Sequence, residues 1–197
     1  MARRDTRDLL IAEGLKAFLA RGYEGIGIQA ILSGAGVPKG SFYNFFPSKE
    51  AYALAVVDAY AARYEAFRLA CFATDGSPLQ RLRHYFEALE AEMDEAGETG
   101  GCLYGVLAQT SAPHSEAIRT RLKAAFANWR TQLAGLLDTA KAAGELSPAT
   151  DTAGLADAVI DAYEGATVRM RAEGDAAAMR RFRERTMEAL LSADAMA

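Results

Sequence analysis

Apolar residues recur three and four positions apart almost from one end of this chain to the other, and that regularity excludes most folds. Leu10, Ile11, Leu15, Phe18 and Leu19 set the pattern, while the period-two alternation of a half-buried strand is nearly absent. The expectation is an all-α protein of about nine helices. Glycine and proline divide it. A first helix over about 5–21 stops near Arg21-Gly22, and a short one over about 28–35 carries Ile28, Ile31, Leu32 and Ala35. Gly36 interrupts it, and another short helix covers about 38–45. Pro47 ends that one, because proline disfavours helix in the residue before it. Ser48 can cap a long helix over about 49–73.

The rest divides in the same way. Thr74 to Pro78 is a loop by composition, with Ser77 and Pro78 placed to start a helix over about 78–96. Gly97 and Gly100-Gly101 mark a break before a short helix from Cys102 to about Ser111. Helices over about 115–143, 151–172 and 176–192 follow, separated by Gly144, Ser147-Pro148 and Gly174. No internal repeat or low-complexity tail breaks this order.

With 197 residues and 51% hydrophobic content the chain can bury a sizeable core. No apolar run approaches the roughly 20 residues that span a membrane. The opening MARRDTRDLL lacks the apolar segment and small-residue cleavage site of a secretory signal. Cys71 and Cys102 are too few for a disulfide scaffold and lack metal-ligand spacing, and His84 and His114 stand alone. The expectation is a cytoplasmic protein with no metal or cofactor. The net charge is −4, but residues 1–50 carry +2 and the remainder −6. Such asymmetry fits a small anion-binding module on an acidic body.

The stretch GAGVPKGSFYNFFPSKE, Gly34 to Glu50, concentrates the chemistry. A phosphate-binding P-loop would need GxxxxGK[ST] between a strand and a helix; here Lys39 precedes Gly40 and a helical pattern comes before. Gly22, Gly25 and Gly27 do not make a dinucleotide fingerprint either. A helix-turn-helix fits. Gly36 can take the positive φ that a steep turn needs, and Ile31, Ala35, Val37, Phe42 and Phe45 supply apolar contacts across it. Lys39, Gly40, Ser41, Tyr43 and Asn44 would then face solvent. From spacing alone, any αα-hairpin with a glycine turn fits as well.

GVPKGSFYNFFPSKEAY resembles the recognition-helix signature of the TetR/AcrR family of bacterial transcriptional regulators, and the likeness extends upstream through Ile11-Ala12, Leu15, Phe18, Gly22-Tyr23 and Ile31. It covers about residues 5–60. The resemblance implies residues 1–48 as a helix-turn-helix DNA-binding domain and 49–197 as a ligand-binding and dimerisation domain. It implies DNA contacts by Gln29, Lys39, Gly40, Ser41, Tyr43, Asn44 and Lys49. Lys39, Ser41 and Asn44 are assigned to base edges, which set sequence preference, and Tyr43 and Lys49 to phosphates, which set register. Three positions depart from the family pattern. Phe45 replaces a common histidine or tyrosine, Gly27 replaces the usual Ser/Thr cap, and Leu32 fills a position usually kept small.

In the larger domain, Tyr52, Val56, Tyr60, Tyr64, Phe67 and Cys71 form one helical stripe. Such stripes usually pack as core, and tyrosines within them can also line an apolar cavity with polar tips. The candidate ligand-binding residues are Tyr60, Tyr64, Phe67, Phe86, Met93, Cys102, Leu107, Phe126, Trp129 and Tyr163. The family's paired last helices imply a homodimer through Leu155, Val159, Ile160, Tyr163, Met179, Phe182 and Leu190, in a stripe that passes Thr186. GGCLYGVLAQ places Cys102 at or next to a helix start, where a thiolate is favoured; it resembles a start found in family branches that sense electrophiles, although a small buried residue filling a helix junction is the plainer reading. Whether Cys71 meets Cys102 stays open. The arginines at 180, 181, 183 and 185 read as a solvated face, as does the acidic run Glu90, Glu92, Asp94, Glu95.

The expected function is a homodimeric repressor that leaves operator DNA when a small apolar or electrophilic effector binds. The alternatives are a DNA-free adaptor on the same fold and a helical enzyme, the last opposed by the lack of a catalytic triad pattern, metal cluster or cofactor loop.

Overall fold

A computed structural model describes residues 3–96 and 101–195, without the side chains of residues 3–5, Lys39, 94–96 and 193–195. The glycines at 97 and 100, and the side chains of Asp94 and Glu95, lie outside the described residues. Every regular element among the described residues is helical. These are α1 (Arg3–Arg21), α2 (Ile28–Ala35), a 3₁₀ helix (Lys39–Asn44), α3 (Lys49–Phe72), α4 (Pro78–Ala96), α5 (Leu103–Thr110), α6 (Glu116–Ala142) and α7 (Thr152–Glu173). A last rod, α8, runs through Ala177–Arg181, a π-helical turn at Phe182–Thr186, and Met187–Ala195. Among the described residues no helix is long and apolar enough to cross a membrane.

Local chemistry explains where the helices start. Ser48 Oγ accepts the Ala51 N–H at 3.0 Å at the head of α3. Ser77 and Gln80 form a reciprocal capping box on α4: the Gln80 N–H donates to Ser77 Oγ at 3.4 Å and the Ser77 N–H to Gln80 Oε1 at 2.8 Å. Ser115 caps α6 through the Ile118 N–H, and Asp151 caps α7 through the Gly154 N–H. Each such cap contributes about 1 kcal/mol.

Packing divides the chain into two compact units, residues 1–63 with 102–125, and residues 64–101 with 126–197. α3 therefore contributes to both, changing unit between Arg63 and Tyr64. In the first unit Leu10, Phe18, Ile31, Phe42 and Tyr52 are fully buried. Gly14 lets α3 approach α1 closely, since a Cβ there would collide with the Tyr52 side chain. The Tyr52 hydroxyl donates to the Leu10 carbonyl at 2.6 Å, and burial pushes its phenol well above the ordinary tyrosine range.

The second unit is held by aromatic edges. Phe86, Tyr163 and Phe182 pack with ring centroids 5.1–5.7 Å apart, and Trp129 joins Tyr163 at 5.4 Å. The π turn in α8 alters the expected stripe. Met179 and Phe182 are buried, but the residues that follow them into the core are Met187 and Leu191; Thr186 is exposed and Leu190 half-buried. One extra residue in a turn rotates everything downstream by one position, so an uninterrupted 3.6-residue count is off by one after Phe182.

The arginines of α8 are more engaged than a solvated face. Arg183 reaches Glu90 at 2.8 Å and Glu87 at 3.2 Å on α4, Arg181 reaches Glu173 at 3.2 Å, and Glu90 is itself buried. Arg180 and Arg185 are exposed. Arg83 grips Glu188 with two hydrogen bonds, 2.7 and 2.9 Å, which hold the Glu188 carboxyl below its usual range.

Candidate nucleic-acid interface

The turn that shapes the interface is built on Gly36. Its φ of 64° and ψ of 30° are left-handed, and its N–H bonds the Ser33 carbonyl while the Val37 N–H bonds the Leu32 carbonyl at 3.0 Å. This paired closure is a Schellman motif, with Val37 and Leu32 both buried beneath it. α2 starts without a side-chain cap at Gly27, which leaves its first N–H groups at the positive helix end for an outside acceptor. Gln29, one residue inside that start, is exposed.

After the turn the chain forms a 3₁₀ helix, tighter than the α-helix the pattern suggested. Pro38 precedes it, and the Ser41 N–H closes an i→i+3 bond to the Pro38 carbonyl at 2.9 Å. A segment this short, with Gly40 inside and Pro47 soon after, gives little cooperative support to α-geometry. Phe42 is its inward anchor, fully buried, and Tyr43 beside it is 61% exposed. The second anchor is Phe46, not Phe45. Phe46 is buried with its ring 4.9 Å from Tyr52, and the Arg7 guanidinium lies 5.6 Å over it. Phe45 is half-buried and, with Thr6, Ser41 and Asn44, lines a depression of about 430 Å³. Asn44 is exposed and Ser41 half-buried, while the Lys39 side chain lies outside the described residues. Gly40 is exposed, and a Cβ there would meet nothing within 4 Å.

Lys49, the first residue of α3, holds its ammonium 4.2 Å from the centre of the Tyr23 ring. This aromatic seat limits the lysine's rotamers, and partial burial, then the charges of Glu24 and Glu50, raise the Tyr23 phenol. Tyr23 was part of the sequence signature, but only the fold gives it this role. Ser115 donates to Glu50 Oε1 at 2.6 Å, which ties the head of α6 to the head of α3 inside the same unit.

The candidate pocket residues fall in two groups. Tyr60, Cys102 and Leu107 lie in the first unit, all buried. The Tyr60 hydroxyl lies 3.8 Å from Cys102 Sγ and accepts the Leu103 N–H at 3.4 Å, and its ring packs edge-on to Tyr104 at 5.1 Å. Cys102 is the N-cap residue of α5; burial pushes up the Cys71 thiol, and the two cysteines are not joined in a disulfide. Tyr64, Phe67, Phe86, Met93, Phe126, Trp129 and Tyr163 lie in the second unit. There Trp129 stacks on Phe126 at 6.3 Å and meets Tyr163 edge-on, and Tyr64 meets Phe67 at 6.1 Å. Sequence reasoning missed Arg68, 3% exposed beside Trp129, because an arginine in a helical stripe reads as surface.

Leu155, Val159, Ile160, Tyr163, Met179 and Phe182 are buried by the chain's own packing, which leaves them little surface for a partner. The outer side of α7 shows Val168, 44% exposed, and an open Gly165.

A glycine-turned helix pair with buried apolar backs and exposed polar tips has the geometry of a helix-turn-helix, the motif of many DNA-binding regulators. Comparison with known proteins names the family. Residues 10–56 match the model of bacterial regulatory proteins of the tetR family, and residues 78–186 match the tetracyclin repressor-like C-terminal domain. The transcriptional regulator AcuR of Cereibacter sphaeroides is 37% identical over 83% of this chain and 75% of its own length. The transcriptional repressor DhaR of a Mycobacterium species is 33% identical over 97% of this chain and 95% of its own. A crystal structure of a TetR regulatory protein from Rhodobacter sphaeroides superposes with a TM-score of 0.88 at 32% identity, covering 94% of this chain and 96% of that one. The chain belongs to the TetR family of transcriptional regulators and is a DNA-binding regulator, not an enzyme.

Proposed function

We propose that this chain is a cytoplasmic homodimeric repressor whose residues 1–48 bind operator DNA and whose residues 49–197 bind a small effector and a second copy. The observation that carries the DNA face is the contrast within the 3₁₀ helix: Phe42 is fully buried while its neighbour Tyr43 is 61% exposed. Ser41 and Asn44 read base edges together with Lys39, and Gly40 lets the backbone come close to the duplex. Tyr43, Lys49 and the uncapped start of α2 near Gln29 take phosphates. The second copy docks on the outer faces of α7 and α8, where Val168 is exposed and Leu190 half-buried.

An effector with an apolar body fits the aromatic groups described above, and it opposes DNA by the difference in its affinity for the two states. Tyr43→Phe and Lys49→Ala test the reading, by titration against DNA flanking the protein's own gene at two salt concentrations. Each variant is expected to lose affinity on every sequence, with the salt slope shallower by about one charge for Lys49→Ala. Variants that bind like the parent at both salts would refute the assigned DNA face. Cys102→Ser run in parallel, with and without a thiol-reactive electrophile, separates a covalent effector from a non-covalent one.

A further inference from the structure

The second unit buries an arginine that makes no direct ion pair among the described residues. Arg68 is 3% exposed, and among the described residues its guanidinium makes one hydrogen bond, Nε–H to Gln132 Oε1 at 2.7 Å, and no ion pair. Gln132 spends its own Nε2–H on Glu65 Oε1 at 2.9 Å, so that carboxylate is held one amide away. Two half-buried arginines of this unit are built differently: Arg183 has Glu90 and Arg83 has Glu188. Burying an arginine side chain without a direct ion pair costs stability, so its position here points to a task.

A second orphan lies against it. Trp129 is 3% exposed, its ring centre is 5.7 Å from Arg68 Cζ, and its buried indole N–H has no acceptor among the described residues. Indole nitrogen only donates, and buried donors are nearly always partnered. The ring face attracts the guanidinium without neutralising it. The cation on α3 and the donor on α6 lie side by side, and a negatively charged acceptor next to them would satisfy both. One cation matches a monoanion better than a phosphate dianion, and a guanidinium fork matches the two oxygens of a carboxylate. Phe126 and Tyr163, both in contact with Trp129, offer an apolar wall beside it.

We propose that Arg68 and the Trp129 N–H form the anion-recognition end of the effector site, and that the effector is a small monocarboxylate with an apolar remainder. This rests on reading the chain as an effector-responsive regulator. Gln132 is a positioning residue that holds the guanidinium through Nε.

Trp129 is the only tryptophan of the chain, so its emission reports this place alone. The full-length protein is titrated with sodium benzoate and sodium propionate, and with benzamide and propionamide, which keep the shape and remove the charge. Ionic strength is held constant. The expected result is a saturable emission change with at least one carboxylate, at least about tenfold tighter than its amide. Arg68→Gln weakens that binding by about tenfold or more, and Arg68→Lys, which keeps charge and bulk if the glutamine variant does not fold, still prefers carboxylate to amide. Trp129→Phe, followed by calorimetry, binds more weakly than the parent. No saturable change with either carboxylate, equal binding of the amide, or an unchanged affinity in a folded Arg68→Gln protein would overturn the proposal. Binding of labelled DNA is measured separately on the same preparations. A protein that binds DNA and ignores both carboxylates refutes only this inference, and one that binds a carboxylate but no DNA refutes only the regulator reading.

Discussion

The contact between Gly14 and Tyr52 gives a double-mutant cycle that links the core to the DNA face. A Cβ at Gly14 would collide with the Tyr52 hydroxyl and come within 2.6 Å of Tyr52 Cζ and 2.8 Å of Val56 Cγ2. Alanine in a helix interior gains about 1 kcal/mol over glycine, so space alone makes this substitution harmful. Crowding of a packed core costs about 1–3 kcal/mol, and displacing the hydroxyl from the Leu10 carbonyl costs about 1 more. Gly14→Ala should therefore destabilise by about 1–3 kcal/mol, which for a chain of this size lowers the melting temperature by about 2–4 °C per kcal/mol. Tyr52→Phe removes only the hydrogen bond, because the Leu10 carbonyl keeps its helical partner, and should cost about 1 kcal/mol. In the double variant that bond is already gone, so the combined loss should fall short of the sum by about 1 kcal/mol. Urea melts of the four proteins measure the cycle. DNA titrations on the same samples should show Gly14→Ala weakened, because Phe42 and Phe46 pack on the Tyr52 ring at 5.2 and 4.9 Å. A Gly14→Ala protein as stable as the parent, or a strictly additive cycle, would refute the close approach as the cause.

Two other perturbations separate function from fold. Gly40→Ala meets no atom within 4 Å and no left-handed backbone, so its stability should match or slightly exceed the parent's while DNA affinity falls; equal affinity would remove Gly40 from the interface. Glu188→Gln tests the pair with Arg83, whose hydrogen bond lowers the carboxyl. A carboxyl lowered by folding stabilises above its unfolded range and loses that contribution as pH falls through the folded value. The variant should melt lower than the parent near pH 7, by at most about 1 kcal/mol because the pair is more than a third exposed, and should match it near pH 3. An equal deficit at both pH values would show that the charge is not what matters.

What the sequence made legible was local. Gly36, Ser48 and Ser77 act within three or four residues of themselves, so the turn and two caps could be read directly, as could the exposure of Tyr43 and Asn44. Phe46 replaced Phe45 as the second anchor because the 3₁₀ helix ends at Asn44 and the following residues bend back toward Tyr52. The π turn had no local signature. FRERT is as compatible with α-helix as its neighbours, and only the burial of Met187 and Leu191 reveals the slip. A dimer stripe counted through it mixed core residues with surface ones.

The effector half was harder to read for a different reason. Periodicity assigns a face, but it does not say which residues on that face are covered by the chain itself. Val159 and Phe182 were given to a partner, yet they close the core of their own unit. Arg68 erred in the opposite direction, since long charged side chains on a helix usually reach water. Its burial depends on Gln132 and Trp129, more than sixty positions away along the chain. In the DNA-binding half the chemistry is displayed on a turn that three residues specify, whereas in the effector half it is a polar exception inside an apolar stripe, and only the tertiary packing makes that exception visible.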